Sequence, residues 1–408
     1  VSLNPEQDPE QDPVQGTDRA GSRTDRPAQK RSRNIRLAVL GAGLAIITGM
    51  GIAHQRGVKV VGVDALCPFG GIETLWALVM SATLIQRVAV SSVILLGVVL
   101  VTAFVFRRAF CGYICPLGAI QEFAGRIGRK LFGGKLPQVP AVIDRPARFL
   151  KYAVLAVIAV WSWQAASLVI RPYDPWVAWM HLTSAELLAE FSIGLIILGV
   201  SVVGSIVYDR FFCKYLCPMG GFLGAISRLS VFKVRRAETT CTDCKACDKA
   251  CPVNVKVSEV ATVNDAECIN CNECVNVCPV NDTLVVSAST APSARRLSPN
   301  AVLGLTLALI AVGIGLPTVT GSFAWTMPSL ESAVEKSGGA VNVEEIRGSM
   351  TFGEIAKVTG IPETAFQEKF GVKPGEMATP IKDLAGTYGF DVHTDVREFI
   401  SEKLGQAK

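Results

Sequence analysis

The chain has 408 residues, half of them hydrophobic, only 18% charged and thirteen of them cysteine. So apolar a composition excludes an ordinary water-soluble fold and calls for membrane spans. The formal net charge of +5 needs no nucleic-acid partner to explain it, since most of it flanks apolar stretches.

In chain order, residues 1–36 form a polar, proline-rich leader running through Asn4, Pro5, Asp8, Pro9, Asp12 and Pro13. Such a segment buries too little surface to fold and is expected to be disordered. The first apolar stretch, Leu37–Ala53, reads as a retained anchor, because it sits behind that leader with no small-residue cleavage site. Four more follow at Val88–Phe106, Tyr152–Ile170, Phe191–Val207 and Ala301–Leu316. Each approaches the roughly 20 residues that cross a ~30 Å hydrocarbon core. Leu75–Ile85 is too short to span and is expected to be a buried or interfacial helix on the outer face. The loop from Arg107 to Lys151 holds nine Lys or Arg against two acids, whereas Arg171–Glu190 holds one base and three acids. That bias puts the N-terminus and residues 237–290 in the cytoplasm and the C-terminus outside a bacterial or archaeal membrane.

The predicted membrane core, residues 37–236, repeats internally. Phe110-Cys111-Gly112-Tyr113-Ile114-Cys115-Pro116-Leu117-Gly118 returns as Phe212-Cys213-Lys214-Tyr215-Leu216-Cys217-Pro218-Met219-Gly220. Both copies have the same topology, so a pseudo-two-fold axis is expected along the membrane normal. Under that symmetry Cys111, Cys115, Cys213 and Cys217 can converge. Three readings stand side by side: a third metal or Fe–S centre, redox-active thiols, or packing of small apolar side chains.

Two further runs follow: Cys241-x2-Cys244-x2-Cys247-x3-Cys251-Pro252 and Cys268-x2-Cys271-x2-Cys274-x3-Cys278-Pro279. This is the bacterial spacing for two [4Fe–4S] clusters, in which the fourth cysteine of each run ligates the other cluster. Cluster 1 is expected on Cys241, Cys244, Cys247 and Cys278, and cluster 2 on Cys251, Cys268, Cys271 and Cys274. Zinc sites use separated Cys-x2-Cys pairs instead, and disulfides need an oxidising compartment.

Cys67 stands alone beside Pro68, Gly70 and Gly71 on the expected outer face, with His54 and His181 on the same side. These three are candidates for an outer redox or quinone site; a buried small thiol and solvated histidines are the plain alternative. Residues 291–325 supply the last span. Residues 326–408 contain a repeat: Glu354–Ile361 returns as Asp383–Phe390, with Thr351 and Thr379 as N-caps and Gly360 and Gly389 as C-caps. Its nine bases against thirteen acids disfavour DNA and leave partner docking as the expectation.

The paired motifs and the double cysteine run resemble the membrane polyferredoxins of the NapH and NosR type, related to the CcoG-type family. The resemblance covers roughly residues 37–320. It implies membrane spans joined to a cytoplasmic 2[4Fe–4S] ferredoxin-like domain; the apolar stretches and the tail repeat, read on their own, make this a mainly α membrane protein with about five transmembrane helices and a small helical C-terminal module that the resemblance does not cover. It also implies electron transfer between the quinone pool or a cytoplasmic donor and a partner oxidoreductase, as a subunit of a quinol-dehydrogenase type complex. Two other classes stay open: a copper reductase or assembly factor using the paired cysteines, and a membrane redox sensor.

Overall fold

The computed structural model describes residues 25–56, 67–81, 89–134, 136–137, 139–165, 170–184, 187–291, 294–323 and 350–405, with scattered positions between 325 and 348. Residues 1–24 of the leader, 82–85 of the short outer helix and 166–169 of the third predicted span lie outside the described residues.

Helix α1 runs over Arg26–Gln55 with Pro27 in its first turn. This corrects the expectation of a disordered segment up to residue 36: residues 26–36 are helical. The cause is tertiary. Gln29 Nε2 donates to the Cys278 carbonyl at 2.8 Å, and Arg36 is 2% exposed between two carboxylates. Composition alone cannot anticipate partners so distant in the chain.

Helices α2 (Pro68–Ser81) and α3 (Ala89–Phe106) pack against each other. The short outer helix thus begins seven residues before the predicted Leu75, at Pro68, where proline suits a first turn. Then come α4 (Ala109–Tyr113), α5 (Pro116–Leu131), α6 (Ala141–Ala147) and α7 (Leu150–Ala165). The next group is α8 (Pro175–Met180), α9 (Leu187–Glu190), α10 (Ser192–Val207), α11 (Phe211–Tyr215) and α12 (Pro218–Ser227). The duplication is visible in these bounds. A long apolar helix, a five-residue helix carrying the first cysteine, and a proline-initiated helix recur as α3–α4–α5 and α10–α11–α12. Cys115 and Cys217 are the N-caps of α5 and α12. The halves interlock, since α5 packs on α10 and α12 packs on α3.

Among the described residues two helices are long and apolar enough to cross a membrane: α1 and α15 (Pro299–Val319). Helices α3 and α10 are apolar but shorter. All five helices at the predicted spans leave large apolar side chains uncovered, among them Ile46, Val101, Val157, Ile196 and Val312. Such a girdle is what lipid contact requires.

Between α12 and α15 lies a small unit with a three-stranded antiparallel sheet of β1 (Lys233–Arg236), β2 (Leu284–Ser287) and β3 (Arg296–Leu297), in that order. Val234 pairs with Val286, which pairs with Leu297, and both valines are buried. The cysteine runs end in one-turn helices α13 (Ala246–Ala250) and α14 (Glu273–Asn276). Phe106 stacks on Phe232 at 5.3 Å and seats the sheet against the end of α3.

The tail forms a separate apolar cluster around Phe352, Phe366, Phe370 and Phe399. Thr351 and Glu354 form a reciprocal capping box, and Gly360 and Gly389 end their helices with φ of 72° and 74°. The second repeat helix starts at Ile381 behind Pro380 rather than at the predicted Thr379 cap. Proline at the N-cap position supplies the extended entry by its fixed φ.

Candidate iron–sulfur sites

Two cavities in the sheet unit are lined by cysteine. One, with about 350 Å³ of space that is partly open to solvent, is bounded by Cys251, Cys268, Cys271 and Cys274, with Val234, Val255 and Ile269 behind them. The other, of about 370 Å³, is bounded by Cys241, Cys244, Cys247 and Cys278. In each, three thiols come from one run and the fourth from the other.

The backbone also suits an anionic cluster. Asp243 and Lys245 in the first run, and Asn270 and Asn272 at the matching places in the second, have φ between 49° and 59°. Left-handed residues alternating with right-handed ones turn successive N–H groups into one concavity, a nest that favours anions such as an iron–sulfur core. Burial pushes the Cys251 thiol up to about 12 and the Cys271 thiol up to about 11. As thiolates, these groups need the positive charge of iron beside them. Among the described residues no three His, Cys, Asp or Glu side chains close in tightly enough to hold a single metal ion; the cysteines are spread around their cavities instead. The residues fit two clusters.

The two sites differ in setting. Cys244 is exposed, whereas Cys271 is buried against the first paired motif. A Cβ on Gly112 would meet the Ile269 carbonyl oxygen at 2.5 Å and the Cys271 Cβ at 3.5 Å. Asn270 Nδ2 donates to the Phe106 carbonyl at 2.9 Å and Asn272 Nδ2 to the Tyr113 hydroxyl at 2.8 Å. The second run is therefore docked on α3 and α4 through the same asparagines that shape its nest.

Charge reinforces the docking. Arg36 joins Glu122 at 3.0 Å and Glu273 at 2.8 Å. Glu122 also meets Arg210 at 3.1 Å. Glu267 is held by Lys151 and, at 3.4 Å, by Arg108. Burial alone would raise the Glu122 carboxyl, but the Arg36 and Arg210 guanidiniums outweigh it and hold it well below the usual carboxylate range. Sequence reasoning counted these arginines only as flanking charge and missed both glutamates of the second run. A signal was there: Glu267 precedes that run and Glu273 lies within it, while Thr240 and Ala246 fill the matching places in the first.

The four motif cysteines lie within electrostatic reach of one another. Burial pushes the Cys115 thiol up to about 12, with Cys111 and Cys213 next in effect. Cys217 is raised by burial and then by Cys213, Cys111 and Cys115. Gln121 Nε2 donates to Cys213 Sγ at 3.2 Å, and the Gly220 N–H to Cys217 Sγ at 3.3 Å.

At the site expected on the outer face, Cys67 lies 3.7 Å from Asp174 Oδ2 and packs with Trp176, Met180 and Phe191. His181 is buried, with Nδ1 2.8 Å from the Val177 carbonyl and its ring 4.4 Å from Phe191. Cys67 and His181 thus share one small cluster, while His54 sits in the last turn of α1.

A family model described as a 4Fe-4S binding domain matches twice, over residues 88–135 and 192–237, once on each half of the duplication. A 4Fe-4S dicluster domain matches residues 233–279. YccM of Escherichia coli, provisionally named an electron transport protein, is 30% identical over 256 residues, covering 62% of this chain and 71% of its own. The chain belongs to the polyferredoxin-type membrane electron-transfer proteins. Other members of this polyferredoxin group match over less of their length. The ferredoxin-type protein NapH of Escherichia coli is 27% identical over 40% of this chain and 54% of its own. NirI of Paracoccus denitrificans is 27% identical over 58% of this chain and 33% of its own. No solved structure matches.

Proposed function

We propose that this polyferredoxin is a membrane-bound subunit that passes electrons, one at a time, between the quinone pool or a cytoplasmic donor and a partner oxidoreductase. Cys241, Cys244, Cys247 and Cys278 hold one [4Fe–4S] cluster, and Cys251, Cys268, Cys271 and Cys274 hold the second. Cys111, Cys115, Cys213 and Cys217 hold a third iron–sulfur centre at the membrane edge. Bound there, each cluster supplies a one-electron store.

The observation that carries this reading is the continuity of the three cysteine groups. The exposed Cys244 marks the end open to a partner. The cross-run exchange of Cys251 and Cys278 ties the first site to the second. The Gly112 contact brings Cys271 against the first paired motif. The chain crosses the membrane five times through α1, α3, α7, α10 and α15, with the sheet unit in the cytoplasm, a reading supported by the basic flanks. The acidic tail lies outside as a docking module for another subunit. Cys67, His54 and His181 are the candidates at the outer, quinone-facing end.

Iron and acid-labile sulfide per chain, with EPR of the reduced state, test the proposal on anaerobically purified protein. The expected result is about twelve irons, falling to about eight in Cys111→Ser/Cys213→Ser. About eight in both proteins would leave two clusters and return the paired motifs to thiol chemistry or packing.

A further inference from the structure

The largest fully buried side chains of this apolar protein are led by cations. Arg36, Arg107, Arg108, Lys151, Arg210 and Lys214 are each 2% exposed or less. Of the buried carboxylates, Glu122, Glu267 and Glu273 pair with these cations, and Asp144 is already paired with Arg148 at 2.6 Å. A surplus of buried positive charge is costly unless an anion faces it.

Two of these cations are crossed between the halves. Arg108 precedes the first cysteine pair, yet its Nη2 would lie 2.7 Å from a Cβ on Gly220, beside the Cys217 Cβ and the Cys213 carbonyl of the second pair. Arg210 precedes the second pair, yet its Nη1 donates to the Cys111 carbonyl at 2.9 Å. The same Nη1 would lie 3.1 Å from a Cβ on Gly118, beside Cys115. The glycine two residues after each Cys-Pro is what leaves room for the opposite arginine. Arg108 Nε has no hydrogen-bond partner among the described residues. Its carboxylate, Glu267, is also held by Lys151, so the arginine retains charge that its ion pair does not absorb.

We propose that Arg108 and Arg210 are the fixed counter-charges of one centre shared by both halves, and that they raise its reduction potential. The proposal rests on the reading of Cys111, Cys115, Cys213 and Cys217 as a third centre. Reduction there adds one electron, drawn from the reduced cluster on Cys251, Cys268, Cys271 and Cys274, and no proton. The two guanidiniums keep their charge throughout and offset the added negative charge across a low-dielectric gap. They are positioning residues, acting on potential and not as ligands.

The test is an anaerobic EPR redox titration with dithionite, with iron counts, on wild type, Arg108→Gln, Arg210→Gln and the matching lysine variants. Neither glutamine strands a buried anion, because Glu267 keeps Lys151 and Glu122 keeps Arg36 and Arg126. With iron retained, each glutamine is expected to shift the reduced-to-oxidised ratio of the membrane-edge signal at least tenfold, about 59 mV downward. The cluster on Cys241, Cys244, Cys247 and Cys278 is expected to hold its potential, and lysine to restore most of the shift. An unchanged midpoint with iron retained would overturn the counter-charge role and leave the third centre standing. About eight irons in wild type would instead sink the third centre itself. If glutamine costs the centre its iron, lysine decides: restored iron and midpoint support the charge, and failure to restore them overturns it.

Discussion

Gly112 and Cys271 touch across the boundary between the helical core and the dicluster unit. A Cβ at position 112 would stand 3.5 Å from both the Cα and the Cβ of Cys271 and 2.5 Å from the Ile269 carbonyl oxygen. The motif residue with no side chain is the one on which a candidate cluster ligand rests. On the proposed route that contact is a conduit, because anything that widens it lengthens the path from the second cluster to the membrane-edge cysteines.

Gly112→Val is therefore expected to uncouple the two parts without emptying either. Overpacking costs roughly 1–3 kcal/mol, taken up by lifting the second run off α4. Iron content should stay at the wild-type value while electron transfer from dithionite-reduced clusters to a quinone in proteoliposomes slows severalfold. Wild-type rates in the valine variant would mean that the route does not pass this contact.

Exchange of ligands between the runs gives a second outcome. Cys251→Ser, although in the first run, should abolish the EPR signal of the cluster next to the membrane core. Cys278→Ser should abolish that of the cluster bearing the exposed Cys244. Each should cost about four irons. Loss of the signal belonging to the residue's own run would show that the runs hold their clusters separately.

Arg36→Ala removes one cation from two buried carboxylates. Glu122 retains Arg210 and Arg126, but Glu273 loses its ion pair. The expected destabilisation is about 3 kcal/mol, at the lower end for breaking a buried pair. Unfolding in detergent would read it, together with earlier proteolytic release of α1. Glu273→Gln made in the alanine background should recover part of the loss.

The pH dependence follows from Glu122. Its carboxyl is held below the usual range in the folded state. Its stabilising contribution is therefore complete above the unfolded value, near 4.3, and is lost only as pH falls through the lower folded value. The unfolding midpoint of wild type should exceed that of Glu122→Gln by a constant margin from roughly pH 8 to about pH 5, and the margin should narrow below that. A margin that shrinks between neutrality and pH 5 would contradict this assignment.

The tail offers the last outcome. Its apolar cluster is its own, so deleting residues 326–408 should leave iron content and reduction of quinone by the reduced clusters unchanged while abolishing co-purification with a partner subunit. Loss of electron transfer on deletion would place the tail in the route.

What could be read from the sequence was whatever is encoded locally. Cluster ligands recur at short fixed spacings because one loop must wrap several corners of a cubane, so spacing alone names the eight candidates that line the two cavities. Thr351 with Glu354, and the glycines at 360 and 389, announce helix ends by the same local logic. Arg36, Arg108 and Arg210 were legible only as positive flanks. Their buried partners Glu122, Glu267 and Glu273 lie at least 86 residues from Arg36, 159 from Arg108 and 88 from Arg210, and no window of sequence contains both ends. The start of α1 escaped for the same reason, because Gln29 and Arg36 are ordered by the dicluster unit and not by their neighbours.

The crossing of Arg108 and Arg210 says something about ancestry. A polypeptide with one copy of the motif would own an arginine and a cysteine pair but would need a second, face-to-face copy to complete either, as a symmetric dimer does. In such a dimer, positions 112 and 214 are a single position and must carry one residue. Here one is the glycine that admits Cys271, and the other is a lysine whose amine lies 3.7 Å from the centre of the Tyr208 ring. Only after the copies were joined in one chain could one face be shaved flat for a dicluster unit while the other kept a long side chain. Joining is what lets a symmetric site have a single entrance.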